Sequence, residues 1–424
     1  MSLALVAFLL AQTTPSASRF DTGERLKVME VAWMSETKPA KRQEAVKKLS
    51  DSIAAFFGGQ FSVACRSLDA ATAILQDRKL IPEDAVSVRF EKPLIDTDGK
   101  AVLRCYWSYK PENPSEIEIE AGKTKRLLKP GESMDIEIPV DDLKSSQDSG
   151  DEFGMLVAVK VGSLTKTATI SVVKNSDSRI KKLTESKDTV VKGLGEFAAS
   201  AANGGVETDP LLIDDIFLAE GLEDGSRKLA DVHELPYIKH EGFVMRAAFP
   251  EKLSKDPTVV IAYHGAGGSE NMMFEAYGRG IVVSEALKRG WIVIAPRAAA
   301  GAGQACLEWL RTVRKIEPTN VLVLGHSMGG GLSLSSASMN PKAIALFAPA
   351  ASQVPPALSN TPIFLAVGKN EMSMLVSLAD KLKEGLKGKS NSEAKTYPDC
   401  EHLMIVAEAA KDAFSFFDKV LEAR

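Results

Sequence analysis

The sequence predicts an α/β fold over its C-terminal part, a sheet with flanking helices, preceded by a helical segment and an all-β module. Three observations carry that prediction. The apolar stretch Asn320 to Leu324 runs straight into Gly325-His326-Ser327-Met328-Gly329, the strand, sharp turn and helix order of a nucleophile elbow. Thr258 to Tyr263 reads as a buried strand and enters the glycine-rich run His264-Gly265-Ala266-Gly267-Gly268-Ser269. Between Pro82 and Val173, by contrast, short segments alternate apolar and polar residues and are separated by turn signals.

A length of 424 residues allows two or three domains, and 45% hydrophobic with 25% charged residues is ordinary for a soluble globular protein. With 52 basic and 56 acidic side chains the net charge is −4 and no long basic block occurs, which argues against nucleic acid as a partner. The cluster Lys123-Thr124-Lys125-Arg126 is expected to be a solvated turn.

In chain order, residues 1–18 resemble a signal peptide, with the apolar stretch Leu3 to Ala11 followed by small and polar residues but no Lys or Arg before it. That stretch is too short to span a bilayer and no cysteine near its end offers a lipid anchor, so the expectation is export, periplasmic or extracellular. Without a functional leader the protein would be cytoplasmic. Residues 20–80 carry apolar positions at helical spacing, such as Leu26, Met29, Ala32 and Trp33, then Ile53, Phe56 and Phe57, and predict two or three helices.

Residues 84–174 supply six or so strands, among them Val86 to Phe90, Val102 to Trp107 and Met155 to Val161, with turns at Asp98-Gly99, Ala121-Gly122 and Pro130-Gly131. That spacing suggests an immunoglobulin-like β-sandwich. Alternation puts Tyr106 on the face opposite Trp107 and Tyr109; a core tryptophan is the simplest reading, a carbohydrate or protein ligand the alternative. Residues 175–231 read as a linker with two helices, and the α/β domain takes residues 232–424.

A serine hydroxyl is a weak nucleophile, so the elbow means chemistry only with a base, an orienting acid and an oxyanion site. Of five histidines only His402 lies downstream of Ser327, in a loop between a late strand and the last helix. No Asp or Glu occurs from Met328 to Thr361, so the acid must come later; Glu371, three residues after Gly368 at the end of the next strand, is best placed. Asp399 and Glu401 compete but lie very close to His402 in sequence, and the neutral Asn370 is a weaker rival. The oxyanion site is expected at the backbone N–H groups of Met328 and Ala266, with His264, Gly265 and Gly267 shaping the loop and a helix from about Glu270 adding its dipole. The same loop could cradle a phosphate, but it lacks the Lys-Ser/Thr ending of a P-loop.

Four stretches together, Tyr263 to Gly268, Gly325 to Gly330, Gly368 to Glu371 and Tyr397 to His402, resemble the α/β-hydrolase family from about His233 onward, its dienelactone-hydrolase-like and feruloyl-esterase-like members in particular. The resemblance implies a serine hydrolase acting on an ester, small or polymer-borne, with Ser327, Glu371 and His402 as triad and neither metal nor organic cofactor. The family more often has Asp where this chain has Glu371. Only Ala350 to Thr361 separate two late strands, which leaves no room for a helical cap there, so the site should be open unless the N-terminal region covers it. A serine peptidase gated by the upstream domains, and a non-catalytic sugar- or wall-binding scaffold, are the competing readings. Cys306 with Cys400 and Cys65 with Cys105 could be bridged in an exported protein, buried free thiols being the alternative; no spacing resembles a zinc site.

Overall fold

Three helices open the chain in the computed structural model, which describes residues 17–143, 150–202, 210–389 and 391–423. They are α1 (Arg19–Ser35), α2 (Pro39–Phe57) and α3 (Phe61–Leu75). The expected leader lies outside the described residues except for Ala17 and Ser18, and these two belong to the folded part. Ala17 is buried, and Ser18 caps α1 by exchanging hydrogen bonds with Asp21.

Among the described residues eight strands, where six or so were expected, build the β-module. One sheet holds β1 (Val86–Phe90), β3 (Ala101–Trp107) and β6 (Ser133–Ile138). The other runs β2 (Leu94–Ile95), β8 (Leu164–Val172), β7 (Phe153–Val161), β4 (Ile117–Ala121) and β5 (Thr124–Leu128). Leu103 and Trp107 of the first sheet share one core with Ile119, Val159 and Ile170 of the second. The basic cluster expected as a turn is mostly β5; it pairs only with β4, so its charged side chains point into water from a sheet edge. Among the described residues three helices rather than two follow: α4 (Ser176–Thr184), α5 (Thr189–Ala202) and α6 (Leu212–Glu223).

The C-terminal sheet has β9 (Glu234–His240), β10 (Phe243–Ala248), β11 (Thr258–Tyr263), β12 (Ile292–Pro296), β13 (Asn320–His326), β14 (Ala343–Phe347), β15 (Ile363–Gly368) and β16 (Glu393–Tyr397). Their spatial order is β9-β10-β12-β11-β13-β14-β15-β16, with the β9–β10 and β10–β12 pairings antiparallel and the other pairings parallel. The chain moves from β11 to β12 on one side and then to β13 on the other, so the crevice at the carboxyl ends of β11 and β13 is a topological switch point. Tyr263 lies opposite Gly325 in the register, which sets the glycine-rich loop beside the elbow.

Alternation along β11 divides the core. Val259, Ile261 and Tyr263 pack with α5, α6 and the helices α8 (Ala302–Thr312) and α10 (Ser373–Leu386). Val260 and Ala262 face α1, α2, α3 and the helices α7 (Tyr277–Lys288) and α11 (Ile405–Glu422). A further helix, α9 (Met328–Leu334), follows the elbow. Among the described residues no helix is long and apolar enough to cross a membrane.

The start of α7 is not right-handed helix. Tyr277, Gly278, Arg279 and Gly280 have φ of 49°, 73°, 59° and 72°, a left-handed turn that residues bearing a Cβ resist. The fully buried Glu30 of α1 holds it, accepting the N–H of Tyr277 at 2.9 Å and of Gly278 at 3.0 Å. Burial pushes this carboxyl up from its ordinary 4.5 to about 7, against the pull of those amides. The native state therefore holds the proton more tightly than the unfolded chain, and the associated stability is complete below about pH 4.5 and lost as pH rises through about 7. The stability of the wild type relative to Glu30→Gln is expected to fall across that window, by ~3 kcal/mol at most, and to level off above about pH 8. Urea unfolding of both proteins over a pH series measures this; a pH-independent difference would contradict it.

Candidate active site

Ser327 sits at φ 54° and ψ −118°, a conformation that costs a non-glycine residue about 1–3 kcal/mol. Its surroundings impose it. The Ser327 N–H donates to the Phe347 carbonyl at 2.9 Å, and its own carbonyl accepts from Gly330 at 3.0 Å and Ala350 at 2.9 Å. The flanking glycines are required by close approach: a Cβ on Gly325 would lie 2.2 Å from the Gly329 oxygen, and one on Gly329 2.3 Å from the Tyr263 oxygen. The hydroxyl is thus presented at the carboxyl end of β13.

His402 Nδ1 lies 3.0 Å from Glu371 Oε2, with the Glu371 side chain fully buried and that of His402 5% exposed. Glu371 Oε1 accepts the Met372 N–H at 2.8 Å. The loops bearing the two are stitched together, Lys369 N–H donating to the Tyr397 carbonyl at 2.8 Å and Asn370 N–H to the Cys400 carbonyl at 3.0 Å. The rival acids are engaged elsewhere. Asp399 accepts from Gln43 Nε2 at 3.0 Å, and Glu401 accepts the N–H groups of Leu403 at 2.9 Å and Met404 at 3.0 Å. Burial raises the Glu401 carboxyl to about 7. The Asn370 side-chain amide donates to the Pro398 carbonyl at 3.4 Å.

Met328 opens α9, so its N–H belongs to the group without an intrahelical acceptor. Gly265, Ala266 and Gly267 line the same cleft as Ser327 and His402. His264 braces this loop: its Nε2 accepts the Ala298 N–H at 2.9 Å, so Nδ1 carries the proton and donates to the Gly265 carbonyl at 2.7 Å. The helix expected from Glu270 is a single turn, Met272–Glu275, too short to offer a useful dipole. Glu270 instead pairs with Arg297 at 2.9 Å.

A hydrogen-bond chain that the sequence did not disclose joins the three loops. Gly265 N–H donates to the Tyr277 hydroxyl at 3.0 Å, that hydroxyl donates to His326 Nδ1 at 2.8 Å, and His326 Nε2–H donates to the His402 carbonyl at 2.9 Å. The arrangement needs a neutral His326, and burial, aided by His402, holds its pKa well below the usual imidazole range. Nothing in the local sequence marks Tyr277; only the paired glycines that follow hint at an unusual turn.

Ser327 and His402 share the cleft, yet among the described residues no hydrogen bond joins hydroxyl to imidazole; such contacts often tighten only around substrate. The N-terminal region partly covers the site, because Arg19, Leu26, Ile53 and Phe56 of α1 and α2 contribute to its wall. All four cysteines are free and buried, so neither conceivable bridge forms. Among the described residues no cluster of His, Cys, Asp or Glu could hold a metal ion.

The model of the dienelactone hydrolase family matches residues 295–415. Among solved structures, a dienelactone hydrolase from Anabaena variabilis is 18% identical, covering 42% of this chain and 91% of that one with a TM-score of 0.35. Est1E from Butyrivibrio proteoclasticus is 15% identical over 46% of this chain and 100% of that one, TM-score 0.35. A hyperthermophilic esterase from the archaeon Pyrobaculum calidifontis is 17% identical over 44% of this chain and 84% of that one, TM-score 0.34. No curated protein matches. The matched segment contains Ser327, Glu371 and His402, so the part of the chain that carries the candidate site is similar to the dienelactone hydrolase family.

Proposed function

We propose that the protein is a serine esterase that cleaves a carboxylic ester through an acyl-enzyme. The observation that carries this reading is the buried 3.0 Å pairing of His402 with Glu371 beside a serine held in the strained elbow conformation. In the first half-reaction His402 takes the Ser327 proton as the hydroxyl oxygen attacks the ester carbonyl, then gives it to the departing alcohol. Glu371 orients the ring and stabilises the imidazolium. The N–H groups of Met328 and Ala266 bind the oxyanion, each worth about 100- to 1,000-fold in rate. Water, deprotonated by His402, then attacks the acyl-enzyme; the acid is released and Ser327 regains its proton.

Strain at Ser327 and a buried imidazole–carboxylate pair are costly features for a scaffold without chemistry, which weighs against a purely binding role. A peptidase would need room for extended chain, whereas the wall formed by α1 and α2 suits a small ester. The two sheets sharing one core support reading the β-module as an immunoglobulin-like sandwich.

Three tests follow from the geometry. Ser327→Ala is expected to abolish both hydrolysis of a short-chain aryl ester and labelling by a fluorophosphonate; wild-type rates in the variant would sink the assignment. Glu371→Gln should lower kcat by roughly 1,000-fold or more, while Asp399→Asn changes it less than about twofold; the reverse order would move the acid to Asp399. Tyr277→Phe leaves the Gly265 N–H and His326 Nδ1 without their shared partner, and kcat should drop about tenfold with Ser327 still labelled. An unchanged kcat would show that this chain does not position the site.

A further inference from the structure

The wall over Ser327 comes from the far end of the sequence, and its chemistry is specific. Arg19, Gly23, Leu26, Glu30 and Trp33 lie three or four residues apart on α1, so one stripe of that helix faces the α/β domain. Glu30 fixes the Tyr277 turn, and Trp33 is fully buried in the sheet-face core with its Nε1 donating to Glu408 Oε1 at 2.7 Å. With its inner half anchored this way, the stripe's outer half, with Leu26, closes over the cleft. Ile53 and Phe56 on α2 close the same space. Phe56 presses on the glycine-rich loop so closely that a Cβ on Gly267 would lie 2.5 Å from its ring.

The partly covered cleft has a volume of about 150 Å³ and is lined mostly by apolar atoms, with Leu26, Ile53, Phe56, Met272 and Leu403 around Ser327 and His402. Its charged members are engaged: Lys27 pairs with Glu24 at 2.8 Å and Glu275 at 3.2 Å, while the Arg19 guanidinium bonds the Gly267 carbonyl and lies 5.6 Å from the centre of the Phe56 ring. A cavity of that size lined by Leu, Ile and Phe matches one benzene ring. A carboxylate or sugar placed there would give up its hydration for an apolar lining.

We propose that α1 and α2 form the specificity pocket of the enzyme, selecting a neutral ester with one apolar group of about phenyl size. The proposal rests on the esterase reading above. Hydrolysis by the full chain would be compared for methyl acetate, methyl phenylacetate and benzyl acetate, with fluorophosphonate labelling of Ser327 run in parallel. One of the two aromatic esters should exceed methyl acetate in kcat/KM by at least about tenfold, the acid-side or alcohol-side ester showing which group enters. Ile53→Trp and Leu26→Trp, which fill the cleft, should each cut that preference about tenfold or more. The wild-type profile needs no variant to fold. Equal kcat/KM for all three esters with Ser327 labelled, or a preference untouched in both folded tryptophan variants, would overturn the pocket and leave the esterase standing. Absence of both labelling and hydrolysis would instead overturn the esterase reading on which the pocket depends.

Discussion

Four consecutive residues in the left-handed region, Tyr277 to Gly280, would not hold that conformation unaided, because two of them carry a Cβ and the turn leaves successive N–H groups without helical acceptors. A carboxylate is the acceptor best suited to adjacent amides, and Glu30 supplies it from a helix almost 250 residues earlier in the chain. The Tyr277 hydroxyl that this turn positions links the site's three loops. It is at once the acceptor for the Gly265 N–H and the donor to His326, and His326 in turn fixes the carbonyl of His402. The loop beside the elbow, the elbow itself and the imidazole loop therefore cannot drift independently.

The helix that carries Glu30 is anchored on its other side with equal care. Arg25 is buried and donates to Asp69 at 2.8 Å, to Ser87 at 2.9 Å and to the Asp84 carbonyl at 3.1 Å. Tyr109 donates to the same Asp69 at 2.9 Å and Tyr106 to Asp21 at 2.8 Å. The two β-module tyrosines thus serve to bind helices rather than to stand free for a ligand. Breaking a buried pair such as Arg25–Asp69 by removing one partner costs about 3–5 kcal/mol, so α1 is a rivet between module and α/β domain rather than a loose flap.

How much of this was legible in the sequence depends on whether the cause was local. The Ser327 turn is dictated by its own neighbours and can be read from five residues. His402 stands out because histidine is scarce, and Glu371 because acids are missing over the stretch before it. The strand β5 was hidden by its charges, which an edge strand tolerates and a buried strand would not. The role of α1 was hidden for the opposite reason: Asp21, Arg25 and Glu30 are buried beside Met29 and Trp33, so its apolar stripe is narrow and its polar residues point into two different interfaces. Pairings such as Glu30 with Tyr277 span too much chain to leave a spacing pattern.

A cap inserted between late strands folds with the sheet it covers, whereas here the cover precedes the β-module and must dock from outside. Docking removes from water apolar side chains of α1, α2 and α3 in the core they share with α7 and α11, and the same contact lines the cleft beside Ser327. The apolar wall and the geometry of the loop beside the elbow are consequently set by one event. A bound apolar group that touches both α2 and the α/β domain would favour the docked state by its own binding free energy, since linkage obliges a ligand held between two parts to strengthen their association. Specificity and stability of the whole chain are then coupled through one interface, the one that contains Glu30.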